Sequence, residues 1–392
     1  VSLATGSGMV LYNQASDGDS TVADAYPVPT IHLSYADGQA FLTWLNSGTG
    51  HTGQLLGASW GILPSAGDKL ASFSGRGPVI PTGVIKPDLA APGVDIYAAG
   101  LGASCSPATG ANCTASLSGT SMATPHVAGA AALIKAVNPT WTPNQIISAL
   151  VLTARASITV NGAPATPHDA GAGQTDVSKA VRAGLYLPVT DAQFKATTAA
   201  TANTLNLPTL GNSDCFESCV LPRTFTDMAG GGNYTIVSNL PAGATMTPSV
   251  STLTFTNGQT QTVNFTFSVS APSLLGKWVY GSVTLQNTSG NGRPNLTLPV
   301  AIKSSAGAAP ASIVQSVSTE RGFFDYSFSG LAALWNRGPD FEDFTKSMKP
   351  REMICGCRGT CLISCLRRHT QLTPPAFPLP LTLTHPLART VP

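Results

Sequence analysis

The first hundred residues alternate short apolar runs with clusters of Gly, Pro, Ser and Asp, a pattern typical of short strands joined by turns. The runs "GMVLYN" and "VPTIHLSY" predict two strands. In "DGQAFLTWLNSG" the side chains of Phe41, Trp44 and Leu45 recur at helical spacing, which predicts a helix. Turn signals at "SGRGP", "KPD" and "APG" then separate short apolar strands between residues 55 and 100.

Two helices are predicted further along the chain. The segment 120–137 is apolar around its circumference until Lys135, so we expect a helix that is buried on all sides. The dipeptide "NP" that follows ends this helix. A second helix is predicted in "TPNQIISALVLTA", because Thr142 is a favourable N-cap and Pro143 suits the first helical position.

The pattern changes between about residues 195 and 303, where apolar and polar residues alternate in short runs separated by turn residues. This alternation predicts strands in "NYTIVSNL", "TLTFTNGQTQTVNFTFSV", "GSVTLQN" and "NLTLPVAI". Strands at such intervals are typical of an antiparallel β-sandwich, here of about 100 residues.

The end of the chain follows neither pattern. The segment "KSSAGAAPAS" has the composition of a linker, and the sequence from about residue 337 shows no sustained periodicity. No fold is predicted there. One hypothesis is that this tail is translated out of frame; an intact homologous continuation in the same reading frame would contradict it.

The charge balance excludes several kinds of partner. Charged residues make up 10% of the 392 residues, and the formal net charge is +2. Neither nucleic acid nor an anionic membrane surface is predicted as a partner. No apolar run reaches the roughly 20 residues of a membrane-spanning helix. The chain begins at Val1 without a signal-peptide pattern, which predicts a mature or truncated product.

The low charge and the close cysteine pairs among the eight cysteines together favour an exported protein. Two close pairs lie in polar loops and are candidates for small-loop disulfides, with free thiols as the alternative: Cys105 with Cys113, and Cys215 with Cys219. The other four, at 355, 357, 361 and 365, have a spacing unlike that of zinc knuckles, even with His369 nearby. No metal site is predicted.

Four Asn-x-Ser/Thr sequons lie in the β-rich region, on predicted strand ends and turns. They are acceptor sites for N-linked glycans if the host glycosylates secreted proteins. The four asparagines are Asn233, Asn264, Asn287 and Asn295.

The strongest chemical signal is "GTSMATPHVAG", residues 119–129. A serine at the start of a buried helix meets free backbone N–H groups and the positive end of the helix dipole. Such donors can stabilise the oxyanion that forms when Ser121 Oγ attacks a carbonyl. Gly119 lets the chain turn tightly and lets a substrate approach. The alternative is that Thr120 or Ser121 is only the N-cap of a core helix.

This segment resembles the nucleophile segment of subtilisin-like serine proteases, and its neighbours resemble that family in the same order. They are "ASFSGRGP" (71–78), "IKPDLAAPGVDIYAA" (85–99) and "HDAGAGQTDVSKAVRAGLYL" (168–187). The first 50 residues resemble the end of an inserted protease-associated domain, and the β-rich region resembles a fibronectin type III-like module. The resemblance therefore covers roughly residues 1–305.

The resemblance implies an α/β fold class with four segments. Residues 1–54 would be the C-terminal part of a protease-associated domain. Residues 55–190 would be the C-terminal part of a catalytic domain with a doubly wound parallel sheet. Residues 191–305 would form a fibronectin type III-like antiparallel β-sandwich, and 306–392 a linker and tail.

The resemblance also implies roles at the site. Ser121 would be the nucleophile, with oxyanion support from the backbone of Gly119, Thr120 and Ser121, and with Met122 in the site wall. In the family, the catalytic His and Asp and an oxyanion Asn come from segments before the serine and upstream of the inserted domain. We therefore expect the chain to be N-terminally truncated, to lack these residues, and to have negligible peptidase activity alone, because triad members act as a unit.

Nearer candidates do not complete the site. His126 is five residues from Ser121 on one helix, a poor geometry for a hydrogen bond, and is interpreted as packing beneath the site. His51 in "GTGHTG" follows the protease-associated segment without a preceding Asp-Thr-Gly motif. Four aspartates are not candidates for the catalytic carboxylate, because they lie inside that inserted segment: Asp17, Asp19, Asp24 and Asp37.

The function implied is that of a secreted serine endopeptidase acting on a protein or peptide substrate. No cofactor is implied, and calcium dependence is left open. A second class of function is a non-catalytic secreted binding or scaffold protein, built from a dead protease half and the β-sandwich.

Overall fold

The computed structural model describes residues 6–22, 26–56, 67–80, 82–100 and 114–305. Val1–Ser304 form one compact unit, and Ser305–Pro392 are a second. Several sequence predictions lie outside the described residues: the Cys105–Cys113 pairing, Asp24, the four-cysteine cluster, and the linker and tail.

The N-terminal strands and helix are confirmed. Strand β1 (Met9–Tyr12) pairs in parallel with β2 (Thr30–Leu33), and helix α1 (Tyr35–Leu45) follows. The Ser34 side chain begins α1 by accepting a hydrogen bond of 3.1 Å from Asp37 N. A Cβ at Gly38 would lie 2.5 Å from Tyr12 Cβ, so only glycine lets α1 approach β1 this closely.

The next described part places a pair of strands beside two helices. Strands β3 (Ile96–Ala99) and β4 (Thr114–Leu117) pair antiparallel, and helices α2 (Thr120–Val137) and α3 (Pro143–Leu152) follow, as predicted. Thr142 and Gln145 form a capping box at the start of α3. Shorter elements complete this part: β5 (Thr159–Val160), β6 (Ala163–Pro164), α4 (Pro167–Ala170) and α5 (Val177–Ala180).

The described part of residues 67–190 mixes helices and short strands, in keeping with the predicted α/β class. Its strand ladders there are antiparallel, and parallel pairing occurs at the isolated bridges Lys69–Thr159 and Ala90–Gln174, so the doubly wound parallel sheet stays a prediction. One expectation for this part differs from the structure. Helix α2 is not buried on all sides: Ala130 and Ile134 are buried, whereas Leu133 and Val137 are 59% and 63% exposed. The side of α2 that carries Ala130 and Ile134 packs against α3 and α5.

The β-rich region forms two sheets. Its strands are β7 (Leu185–Tyr186), β8 (Leu210–Phe216), β9 (Ser218–Asp227), β10 (Gly232–Asn239), β11 (Ala244–Pro248), β12 (Thr252–Phe255), β13 (Thr260–Val269), β14 (Trp278–Asn287) and β15 (Leu296–Ser305). Between β7 and β8 the chain forms helix α6 (Asp191–Ala196) and a 3₁₀ turn (Ala202–Thr204). The five-stranded sheet has the order β12-β10-β14-β15-β8, and the four-stranded sheet the order β11-β13-β9-β7. The pairs β10–β12, β10–β14, β14–β15, β11–β13, β9–β13 and β7–β9 are antiparallel.

One hydrophobic cluster joins the two sheets to the helices. Phe225 and Phe265 of the four-stranded sheet, Tyr234 of the five-stranded sheet, and Ile134 and Leu152 of the helices all belong to it. Strand β7 also adds the end of the segment predicted as catalytic to the four-stranded sheet. The predicted strands are therefore confirmed, while the fibronectin-like assignment and the domain boundaries stay predictions.

No helix within the described ranges has the length and apolar character needed to cross a membrane. In the same ranges, no three His, Cys, Asp or Glu side chains form a group that could hold a metal ion.

Candidate functional site

Ser121 lies in the first turn of α2 and lines an open cleft of about 400 Å³. One wall of the cleft is the β3–β4 strand pair, and the other is the N-terminal part of α2. The lining is mainly apolar and consists of Ile96, Tyr97, Ala98, Ala99, Ala115, Leu117, Ser121, Met122, Pro125 and His126. The predicted nucleophile and the predicted site-wall residue Met122 therefore share one cleft.

The turn that carries Ser121 is held by the loop before β3. Gly119 N donates a hydrogen bond of 2.7 Å to Gly93 O. Asp95 N donates one of 2.8 Å to Ser118 Oγ, and Ser118 Oγ donates one of 3.1 Å to Asp95 Oδ1. These three bonds connect residues 93–95 to residues 118–119 and set the position at which α2 begins.

One backbone donor at the start of α2, the N–H of Ser121, is available to a ligand. The next two, Met122 N and Ala123 N, both donate to Gly119 O, at 3.0 and 3.4 Å. The N–H and Oγ of Ser121 have no hydrogen-bond partner within the part of the chain that the structure describes. An 18-residue helix places its positive dipole end here, so the site favours a developing negative charge.

His126 lines the same cleft without contacting Ser121 through a hydrogen bond. Its Nδ1 lies 2.9 Å from Met122 O, one turn earlier on α2. Five residues along an α-helix correspond to a rotation of about 140° beyond one full turn, so the two side chains point in different directions. The ring is exposed and does not pack beneath the site as expected, because no described element covers this face of α2.

The other sequence candidates make local structural contacts. The His51 ring packs on Trp44, with ring centroids 4.4 Å apart. Asp19 forms an ion pair with Lys69 at 2.6 Å, and Asp37 hydrogen-bonds to Ser34. Asp17 lies in the turn after β1, where its N–H donates to Gln14 O. None of these residues lines the Ser121 cleft.

A buried histidine that sequence reasoning did not single out lies where α4 meets β14. His168 is buried, its Nδ1 lies 3.1 Å from Tyr280 Oη, and its ring packs edge-on against Trp278. Burial lowers the pKa of His168, and the negative charge of Asp169 partly offsets this effect. Asp169 in turn pairs with Arg76 at 3.1 Å. No local sequence signal identifies this cluster, because its members come from distant segments.

Cys215 and Cys219 form a disulfide across the β8–β9 connection, with an S–S distance of 2.13 Å. The second close cysteine pair lies outside the described residues.

Comparison with known proteins identifies the relatives of this chain. Residues 30–183 match the model of the subtilase family of S8 peptidases. "Subtilisin-like protease SBT1.7" of Arabidopsis thaliana is 32% identical over 327 residues, covering 72% of this chain and 43% of that protein. "CO(2)-response secreted protease" of Arabidopsis thaliana is 30% identical, covering 69% and 41%. "Minor extracellular protease Vpr" of Bacillus subtilis (strain 168) is 38% identical, covering 45% and 21%.

Residues 30–183 thus match the subtilase family model, and the chain is similar to subtilisin-like proteases. The chain spans less than half the length of each of these relatives. The family match begins within residues 1–54, the segment predicted to be protease-associated.

Proposed function

We propose that this chain is part of a secreted subtilisin-like serine endopeptidase, with Ser121 as the nucleophile. The observation that carries the proposal is the position of Ser121 in the first turn of α2, with its N–H and Oγ unpartnered among the described residues and facing an open cleft. The subtilase match of residues 30–183 and the protease relatives support it.

The reaction would proceed through an acyl-enzyme. Ser121 Oγ attacks the carbonyl carbon of a peptide bond while a general base takes the hydroxyl proton. The carbonyl oxygen becomes an oxyanion, which the Ser121 N–H and the dipole of α2 stabilise. The amine leaves with a proton returned by the same base, and water then hydrolyses the acyl group.

The general base and its carboxylate partner would come from residues other than those described in the cleft. His126 lacks the geometry, and the described aspartates of the N-terminal segment make contacts elsewhere. Since a general base contributes roughly 10²–10⁴-fold, we propose that residues 1–392 alone have negligible peptidase activity.

A fluorophosphonate probe tests the nucleophile. The polypeptide to use is the longest one encoded by the gene that contains this chain, with S121A as the matched variant. Labelling of the wild-type protein that is absent from S121A supports the enzyme, and residues 1–392 alone should label far more slowly. If a folded full-length protein does not label at Ser121, the non-catalytic scaffold function is favoured instead.

A further inference from the structure

The four sequons of the β-rich region differ in what their asparagine amides do. A glycan is attached to the side-chain nitrogen, so one of the two Nδ2 hydrogens must be given up. Asn233 and Asn264 are exposed, and neither side chain forms a hydrogen bond with any described residue. Their backbones are held in the sheets, where Asn233 N donates to Ser289 Oγ and Asn264 N to Ser249 Oγ.

Asn295 is exposed and uses only its carbonyl. Its Oδ1 accepts a hydrogen bond of 2.9 Å from Asn287 N, and its Nδ2 has no partner within the described part of the chain. An N-linked glycan leaves the amide carbonyl in place, so this hydrogen bond would survive glycosylation of Asn295.

Asn287 differs from the other three because both Nδ2 hydrogens are used. Its Nδ2 donates to Asn291 Oδ1 at 2.6 Å and to Arg293 O at 2.9 Å. Its Oδ1 accepts from Ser289 N at 3.0 Å, and Ser289 Oγ, the hydroxyl of this sequon, is bonded to Asn233 N. A sugar on Nδ2 would break at least one of these bonds and enter the loop that Asn287 organises.

We propose that Asn233, Asn264 and Asn295 are N-glycosylation sites and that Asn287 stays unmodified in the folded protein. The co-reactant is a lipid-pyrophosphate-linked oligosaccharide. The amide nitrogen forms a bond to C1 of the first sugar, the C1–O bond to the pyrophosphate breaks, and lipid pyrophosphate leaves while the amide loses one proton. The three sites lie on or beside strands of the two sheets, and none lines the Ser121 cleft.

The test is expression of the 392-residue chain behind an added signal peptide in a eukaryotic host. Peptide N-glycosidase converts each glycosylated asparagine to aspartate, which peptide mass spectrometry reads site by site. Occupancy is measured in the total chain for the three sites and in the protease-resistant, folded fraction for Asn287. Glycan at all three with none at Asn287 is the expected result. Glycan at fewer than three, or at Asn287 in the folded fraction, overturns the assignment.

Matched variants distinguish the effect of losing a sequon from the effect of disturbing the fold. T235V and T266V remove the sequon hydroxyls and should abolish glycan at Asn233 and Asn264, whereas T235S and T266S should retain it. The two threonine hydroxyls form no hydrogen bond with described residues, so neither change removes one. N291A removes one Nδ2 acceptor and should raise Asn287 occupancy in the folded fraction; unchanged zero occupancy would contradict the role given to that hydrogen bond.

Discussion

The N–H of Gly119 donates a 2.7 Å hydrogen bond to the carbonyl oxygen of Gly93, and this contact sets the start of the helix that carries Ser121. Beside it, Asp95 and Ser118 exchange two further hydrogen bonds. The geometry of the candidate site therefore depends on a loop that contributes no chemistry of its own.

We expect G93A to disturb this contact. A Cβ at residue 93 would lie 2.8 Å from Gly119 O and 3.3 Å from Ala123 Cβ, so one of the two segments must shift. The free energy of unfolding should fall by about 1–3 kcal/mol, measured by urea denaturation. G75A is the matched control, because a Cβ there meets nothing within 4 Å. Equal unfolding free energies for G93A and G75A would show that the loop adapts without cost.

Arg223 should be needed for stability although it forms no ion pair among the described residues. It is only 2% exposed, and its guanidinium donates to the carbonyl oxygens of Thr209, Asn203 and Pro222. Burial lowers its pKa to about 9, so it stays charged at neutral pH. R223M leaves these carbonyls without their donor and should lower the unfolding free energy by about 2–4 kcal/mol.

The control for this change is R182M. Arg182 is exposed and donates to Ser178 O and Gly292 O, both within reach of water. Its loss should cost less than about 1 kcal/mol in the same urea experiment. If R182M and R223M lowered the unfolding free energy equally, burial of the arginine would not explain the loss of stability in R223M.

His168 should make the unfolding free energy depend on pH. Because burial lowers its pKa in the folded state, the unfolded chain takes up the proton first as the pH falls. Stability should therefore be full above about pH 6.5, the ordinary histidine value, and decrease below it. Urea unfolding between pH 5 and pH 8 measures the slope, and H168F should flatten it. Asp169 and Arg76 stay unchanged in this variant, and an H168F slope equal to that of the wild type would contradict the role given to His168.

The Cys215–Cys219 disulfide should stabilise the fold modestly. The two cysteines are four positions apart, so the bond closes a short loop and removes little entropy from the unfolded chain. The double variant C215A/C219A should lose about 2 kcal/mol of unfolding free energy. The unfolding free energy of the wild-type protein should fall by a similar amount in reducing agent. If it falls by more than about 4 kcal/mol in the variant but not in reduced wild-type protein, the packing of Cys215 contributes more than the disulfide.

Local signals in the sequence were sufficient to predict most of the helices and strands and to identify Ser121 as the candidate nucleophile. The bounds of α2 and α3 follow from apolar content, the N-cap Thr142 and the proline after it, and the β strands follow from alternation. The "GTSMATPHVAG" motif indicated the family segment that the comparisons found. These are interactions between residues close along the chain, so periodicity and capping preferences capture them.

Contacts between distant segments were decided only by the tertiary structure. The approach of Gly93 to Gly119, the contact of buried His168 with Tyr280, and the burial of Arg223 all require strands and loops to meet across the fold. The exposure of Leu133 and Val137 on α2 and the fully bonded amide of Asn287 are likewise set by which elements lie alongside them. The sequence of an apolar helix or a sequon is the same whether or not a neighbouring element covers it. Its burial and its hydrogen-bond partners are therefore decided by tertiary packing.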